Sequence, residues 1–214
     1  MRLWPATDPG DGLGYERQLL AQGYATVAGV DEAGRGPLAG PVVAACVVLP
    51  SLAPCGYRDS KVLLPAAREA LYVQLAASGA RIGVGVVSPA RIDRVNILKA
   101  SLEAMALAVA DLGPPPDVLL VDGRFRVPAA IPQHTLVRGE EASRSIAAAS
   151  IVAKVLRDRL MDDLHDRFPQ YNFRSNKGYP TAEHRRALAV HGPCAAHRRT
   201  FRGVREQMSG GDTP

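Results

Sequence analysis

Two apolar runs in this chain end in acids. In Val27–Pro41, VAGVDEAGRGPLAGP, strand-like residues stop at the adjacent carboxylates Asp31 and Glu32, and Gly34-Arg35-Gly36-Pro37 follows. In VLLVDG a second run stops at Asp122, with Gly123 behind it. A carboxylate at the end of a buried strand is costly to desolvate unless a metal, a cation or hydrogen bonds compensate it. If the two strands are parallel neighbours, their C-terminal ends converge where open α/β sheets place ligands, and the acids meet. An Asp-Gly pair after a strand also serves as an ordinary turn. Clustered carboxylates without histidines or thiolates favour hard cations such as Mg²⁺ or Mn²⁺ and disfavour zinc. Two such ions about 4 Å apart can activate a water on one side of a phosphate and stabilise the leaving oxygen on the other.

The positive charge is placed to match. The formal charge of +5 comes from 26 basic and 21 acidic residues, and between Arg174 and Arg205 eight Lys or Arg face one acid, Glu183. A localised basic face suits a polyanion, although a merely solvated surface would look the same. A polyanion held by Lys and Arg and cut at a carboxylate-bound metal pair describes a nuclease. Rival chemistries find little support. His134, His165, His184, His191 and His197 show no HExxH or Cys/His spacing and read as surface or packing residues. No GxSxG elbow is present, and AGRGPLAG matches neither GxGxxG nor a phosphate-binding P-loop.

The elements that must carry these residues can be read from periodicity. Residues 1–23, rich in Gly, Pro and Asp, read as a loosely ordered arm with one helical turn near Glu16 to Leu20. Strands are predicted at Tyr24–Asp31 and Pro41–Leu49, the second too continuously apolar to be exposed on either face. A loop over Pro50–Tyr57 leads to a helix over Pro65–Ala77, with Pro65 suited to its first turn. Ala80–Val87 is a third strand, and Asn96 opens a helix whose Leu98, Leu102, Met105, Val109 and Leu112 form one apolar stripe. Val118–Val121 is a fourth strand and His134–Val137 a short fifth. A long helix over Ser143–Phe168 carries an i+4 row (Val152, Leu156, Leu160, Leu164) and a small-residue face (Ala147 to Ser150) that permits close approach to a sheet. Pro180–His191 is a last helix. This order predicts a three-layer α/β fold with a mixed five-stranded sheet and a C-terminal helical extension. With 214 residues, 47% of them apolar, one domain with a small appendage is expected. Cys46, Cys55 and Cys194 show no CxxC pairing, no export signal is evident at the N-terminus, and no segment is apolar enough to span a membrane, so a reducing cytoplasm is expected.

The ordered set GVDEAGRGPLAGPVVAA, DSKVL, VNILKAS, VLLVDG, SIAAASIVAKVLRDRLM, FPQYNF and NKGYPTAEH resembles ribonuclease HII, the bacterial-type type 2 ribonuclease H family, from about Ala28 to Val204. The resemblance implies the ribonuclease H-like fold over residues 24–168, a substrate-binding extension over 169–207 and a flexible tail over 208–214. It implies an enzyme that cuts the RNA strand of RNA/DNA hybrids and nicks duplex DNA 5′ of an embedded ribonucleotide, leaving 3′-OH and 5′-phosphate ends, with two Mn²⁺ or Mg²⁺ ions. Asp31, Glu32 and Asp122 match the first three metal ligands. For the fourth, the family's Asp after Lys-Gly corresponds to Glu140 in Arg138-Gly139-Glu140-Glu141; Glu141 is the alternative. Gly34, Arg35 and Gly36 match the segment that senses the ribose 2′-OH, where glycines let the backbone approach the sugar, and they would serve a turn between strands equally well. Tyr179 matches a tyrosine that packs on the sugar at the scissile junction. Lys61, Lys154, Lys177 and Arg198, with Arg199 further along, are candidate phosphate contacts, and Val62 stands where the family usually shows a second lysine. A monomer is expected, and the tail shows no convincing clamp-binding peptide.

Overall fold

The computed structural model of the protein describes residues 11–50 and 63–208, so the candidate Lys61 lies outside the described residues, as does Cys55. In chain order the elements are α1 (Gly14–Ala21), β1 (Val27–Ala33), β2 (Val42–Val48), α2 (Pro65–Ala77), β3 (Arg81–Val87), α3 (Pro89–Val95), α4 (Ile97–Asp111), β4 (Val118–Asp122), β5 (Gln133–Leu136), α5 (Gly139–Ala142) and α6 (Arg144–Arg167). A 3₁₀ turn at Pro169–Tyr171 then leads to α7 (Phe173–Asn176), α8 (Ala182–His191) and α9 (Arg205–Met208).

The strands form one five-stranded sheet in the order β3-β2-β1-β4-β5. β1 pairs antiparallel with β2 and β2 antiparallel with β3, whereas β4 runs parallel to both β1 and β5. The expected mixed sheet and three layers are therefore present. β2 explains its own unbroken apolar run: Val42, Ala44 and Cys46 face a cluster under α4, and Ala45 and Val47 face one under α6. A strand covered on both faces has no solvent side on which to place polar residues.

α6 comes very close to β1. A Cβ built on Gly29 would sit 2.0 Å from the backbone carbon of Ser145, so this contact needs both the glycine and the small-residue face of the helix.

Three regions depart from the sequence expectation. In place of a single turn in a loose arm, α1 spans eight residues and buries Leu19 with Val27, Val118, Leu120 and Ile146. A helix this short is marginal alone and is held by tertiary packing, which its Gly- and Asp-rich surroundings conceal. α3 was not anticipated. Pro89 occupies its first turn, the Ser88 hydroxyl accepts from Arg91 N, and Asn96, at φ 73°, both ends α3 and caps α4. The C-terminal extension is helical at α8, but beyond Gly192 it is largely irregular and is tied to the body by a bridge between Ala39 and His197. Its own core gathers Leu38, Met161, Tyr171, Phe173, Leu188 and Val204.

Candidate active site

The sheet register brings the acids together. Val30 pairs with Val121 in the parallel β1–β4 ladder, so Asp31 and Asp122 are the next residues on neighbouring strands. Asp31, Glu32, Gly34, Arg35, Gly36, Asp122, Lys154 and Tyr179 all line one cleft of about 270 Å³, which also takes in Ser150 and Arg157 of α6. A larger hollow of about 540 Å³ lies beside α1, but it holds one acid, Glu16, and mostly apolar walls, so the smaller cleft is the candidate site.

Each acid is held by a neighbour. Asp31 is 5% exposed and its Oδ1 accepts from the Glu32 backbone N–H at 2.7 Å. The Glu32 carboxylate accepts from the Arg35 guanidinium at 3.1 Å. Asp122 Oδ1 accepts from Gly139 N–H at 2.7 Å, which fixes the start of α5 against the end of β4. The next residue, Glu140, is buried, and its Oε2 accepts from the Ser150 hydroxyl at 3.0 Å. Glu141 turns outward and pairs with Arg138 at 2.7 Å. Of the two glutamates, only Glu140 shares the space of Asp31.

Burial pushes the Asp31 carboxyl well above the usual carboxylate range, and the negative charges of Glu32, Asp122 and Glu140 push it further, while the Ser150 hydroxyl works against them. Glu32 is raised as well, mainly by burial, with Arg35 opposing. Among the described residues no three His, Cys, Asp or Glu side chains stand in ready-made metal-ligand geometry. The donor set nonetheless fits a hard divalent cation. It is all oxygen, it sets three further acids, Glu32, Asp122 and Glu140, within Coulombic reach of Asp31, and a cation would relieve the repulsion that raises Asp31.

The basic candidates divide. Tyr179 is 46% exposed and stands over Gly36, 3.7 Å from where a Cβ would be. Lys154 reaches the cleft wall while pairing with Asp158 at 2.5 Å, and burial lowers its pKa despite that partner. Lys177 pairs with Asp162 at 2.5 Å, outside the cleft lining. Arg198, expected on a phosphate, is instead fully buried, and its guanidinium donates to the carbonyls of Gly34 (2.5 Å), Arg35 (2.9 Å), Gly40 (3.0 Å) and Pro41 (3.3 Å). It holds the Gly34–Pro41 loop from beneath and, being fully buried, does not present its charge to a nucleic acid. Burial pulls its pKa down to about 9, which leaves it charged at neutral pH.

Two participants were not picked out from the sequence. Ser150 read as one small residue among alanines, yet its hydroxyl donates to Glu140 and works against the rise in the Asp31 pKa. Arg157, 1% exposed, donates to the carbonyls of Pro41 (3.1 Å), Lys177 (3.0 Å) and Ala39 (3.2 Å). It lies so close under Gly34, at φ 97°, that a Cβ there would meet its Nε at 2.0 Å. The Gly34 position thus demands glycine both by conformation and by space. An arginine in the middle of a long helix carries no sequence signal of such burial.

Comparison with known proteins gives a consistent result. The family model described as Ribonuclease HII matches residues 28–204. A curated ribonuclease HII from Geotalea uraniireducens is 52% identical over 209 residues, covering 97% of each chain. Among solved structures, the ribonuclease H2 from Pyrococcus horikoshii OT3 superposes with a TM-score of 0.74 at 27% identity, over 86% of this chain and 97% of that one. The ribonuclease HII of Archaeoglobus fulgidus, solved in a complex with PCNA, gives 0.71 at 27% identity, over 83% of this chain and 95% of that one.

Proposed function

Because the chain belongs to the ribonuclease HII family it is an endoribonuclease acting on the RNA strand of RNA/DNA hybrids, and we propose that it cuts by two-metal-ion hydrolysis at Asp31, Glu32, Asp122 and Glu140. The family depends on a divalent metal; for this chain we infer Mn²⁺ or Mg²⁺, from the all-oxygen donor set. When bound, such ions acidify the attacking water and neutralise charge on the leaving oxygen. The chain's own residues prepare that chemistry. Ser150 keeps Asp31 and Glu140 in one register through its hydroxyl. The Gly34-Arg35-Gly36 backbone, fixed from below by Arg157 and Arg198, meets the ribose 2′-OH, and Tyr179 packs on the neighbouring sugar. Lys154 offers positive charge to a phosphate at the cleft wall.

In this reading residues 24–168 form the catalytic domain and 169–207 the substrate-binding extension, flanked by residues 1–23 and 208–214. The products are 3′-OH and 5′-phosphate ends. Nicking 5′ of an embedded ribonucleotide would place the enzyme in ribonucleotide removal from DNA, and hybrid cleavage in primer removal during replication. We place it in the cytoplasm as a monomer, the free thiols of Cys46 and Cys194 being compatible with a reducing compartment.

The observation that carries the proposal is the convergence of Asp31, Asp122 and Glu140 at the strand ends, directly beside the Gly34–Gly36 loop. The test is a DNA duplex with a single ribonucleotide, incubated with Mn²⁺, with Mg²⁺ and with chelator. A nick 5′ of the ribonucleotide in metal and none in chelator is expected. Binding without cleavage in either metal would overturn the two-metal assignment, and cutting of long hybrids alone would overturn the junction specificity.

A further inference from the structure

Two histidines that the cleft chemistry does not use lie side by side in the C-terminal extension. His184, in the first turn of α8, and His197 are 0% and 2% exposed, and their Nε2 atoms are 3.0 Å apart. One of those nitrogens must donate and the other accept. The outer ends of the pair decide which. His184 Nδ1 is 2.8 Å from the carbonyl oxygen of Tyr179, which only accepts, so Nδ1 carries the proton and Nε2 is the acceptor. His197 Nδ1 is 3.0 Å from the backbone nitrogen of Cys194, which only donates, so Nδ1 accepts and Nε2–H donates. The two assignments agree. A single chain of bonds runs from Cys194 N–H through His197 and His184 to the Tyr179 carbonyl, with the Cys194 thiol 3.2 Å from the same His197 lone pair.

This chain works only if both rings are neutral, because a proton on either would set two N–H groups against each other or against the Cys194 amide. The surroundings enforce neutrality. Tyr171 packs edge-on to His197 at 4.7 Å between ring centroids and Phe173 edge-on to His184 at 5.4 Å, and burial holds both histidines below their ordinary range. At the other end stands Tyr179, whose ring is half exposed and is therefore aimed more by its backbone than by packing. Its carbonyl accepts from both His184 and the Thr181 amide at 2.8 Å, and its amide donates to the Asn176 carbonyl at 2.8 Å.

We propose that His184 and His197 form a direction-locked relay of neutral imidazoles that positions Tyr179 over the ribose, which makes them positioning residues for sugar recognition. The proposal rests on the reading of Tyr179 as the sugar contact. The same bonds anchor α8 to the irregular segment beyond it, so the relay also registers the extension against the cleft.

A double-mutant cycle on the single-ribonucleotide duplex tests it, with KM and kcat measured separately and thermal unfolding followed alongside. Loss of one buried hydrogen bond predicts that His184→Ala raises KM about tenfold with kcat changed by less than about twofold. Tyr179→Ala is impaired at least as much, and the double variant is no worse than Tyr179→Ala. His184→Asn, whose amide can donate to the Tyr179 carbonyl from the place of Nδ1, recovers most of the loss. Losses that multiply in the double variant, or an asparagine variant as poor as the alanine one, overturn the relay while leaving Tyr179 as a sugar contact. A Tyr179→Ala enzyme that cleaves like the wild type removes the sugar contact and the relay with it. Should His184→Ala unfold below the assay temperature, His197→Leu, which strips His184 of its donor, takes its place in the cycle under the same criteria.

Discussion

At the scale of single residues, the sharpest contrast is between two adjacent glutamates. Glu140 is buried against Ser150 and adds to the charge on Asp31, whereas Glu141 is exposed and paired with Arg138. Glu140→Ala is therefore expected to cost at least about a hundredfold in Mn²⁺-dependent nicking, and Glu141→Ala less than about twofold, since exposed ion pairs contribute little. The reverse ranking in a cleavage assay would place the fourth acid at Glu141. Ser150→Ala is expected to fall between them, at about a tenfold loss, with a weaker apparent affinity for Mn²⁺ in the same titration. Asp31 and Asp122 could be read from the sequence because each ends an apolar run, and strand geometry alone then puts them side by side. Ser150 and Arg157 could not, since a serine among alanines and an arginine on a long helix have the composition of ordinary packing and solvated positions. Arg198 misled for a related reason. Adjacent arginines look like a basic face, and nothing in residue type reveals that one of them is spent on four carbonyls.

At the scale of elements, the approach of α6 to β1 sets where the carboxylates stand. Gly29→Val would drive a side chain into the backbone of Ser145, and a loss of about 3 kcal/mol or more is expected in denaturant unfolding. Arg198→Lys replaces a planar fork by a point charge that cannot serve four carbonyls, and about 3 kcal/mol is expected from the acceptors left unmet. The extension also carries a pH dependence. Burial, with His184 beside it, depresses His197 from 6.5 to about 4, and Cys194 and Tyr171 are its other titratable neighbours. A depressed pKa means that the unfolded chain takes up the proton first. The stability His197 contributes is thus complete above pH 6.5 and is lost as pH falls towards 4, by about 3 kcal/mol at most, which unfolding midpoints across that window would show. Elements with a strong period, such as α4, α6 and the five strands, were legible in the sequence; α1 and α3 were not, because one is held by Leu19 and its neighbours in the fold and the other by a capping serine and a proline.

At the scale of the molecule, the site is a concentration of negative charge that the fold tolerates at a cost. Mutual repulsion around Asp31 means that a cation bound there stabilises the folded state as well as enabling chemistry. Adding Mn²⁺ is expected to raise the melting temperature in a concentration-dependent way, equivalent to about 2.7 kcal/mol at a hundred times the dissociation constant. Chelator would reverse the gain without unfolding the chain, and a melting temperature indifferent to Mn²⁺ would show that the acids do not hold the metal.

The bond from Arg198 to the Gly34 carbonyl spans 164 residues, and it also bears on the order of synthesis. A growing chain can lay down the sheet and bring Asp31 beside Asp122 long before Arg198 has been added. Until then the carbonyls of Gly34, Arg35 and Gly40 lack their guanidinium donor, because Arg157 of α6 reaches only Ala39 and Pro41 on this loop. Contacts of such long range close late in folding. On the proposed roles, the carboxylate cluster therefore comes together before the Gly34–Gly36 loop is fully held, and the recognition loop is completed only once the segment carrying Arg198 has been made.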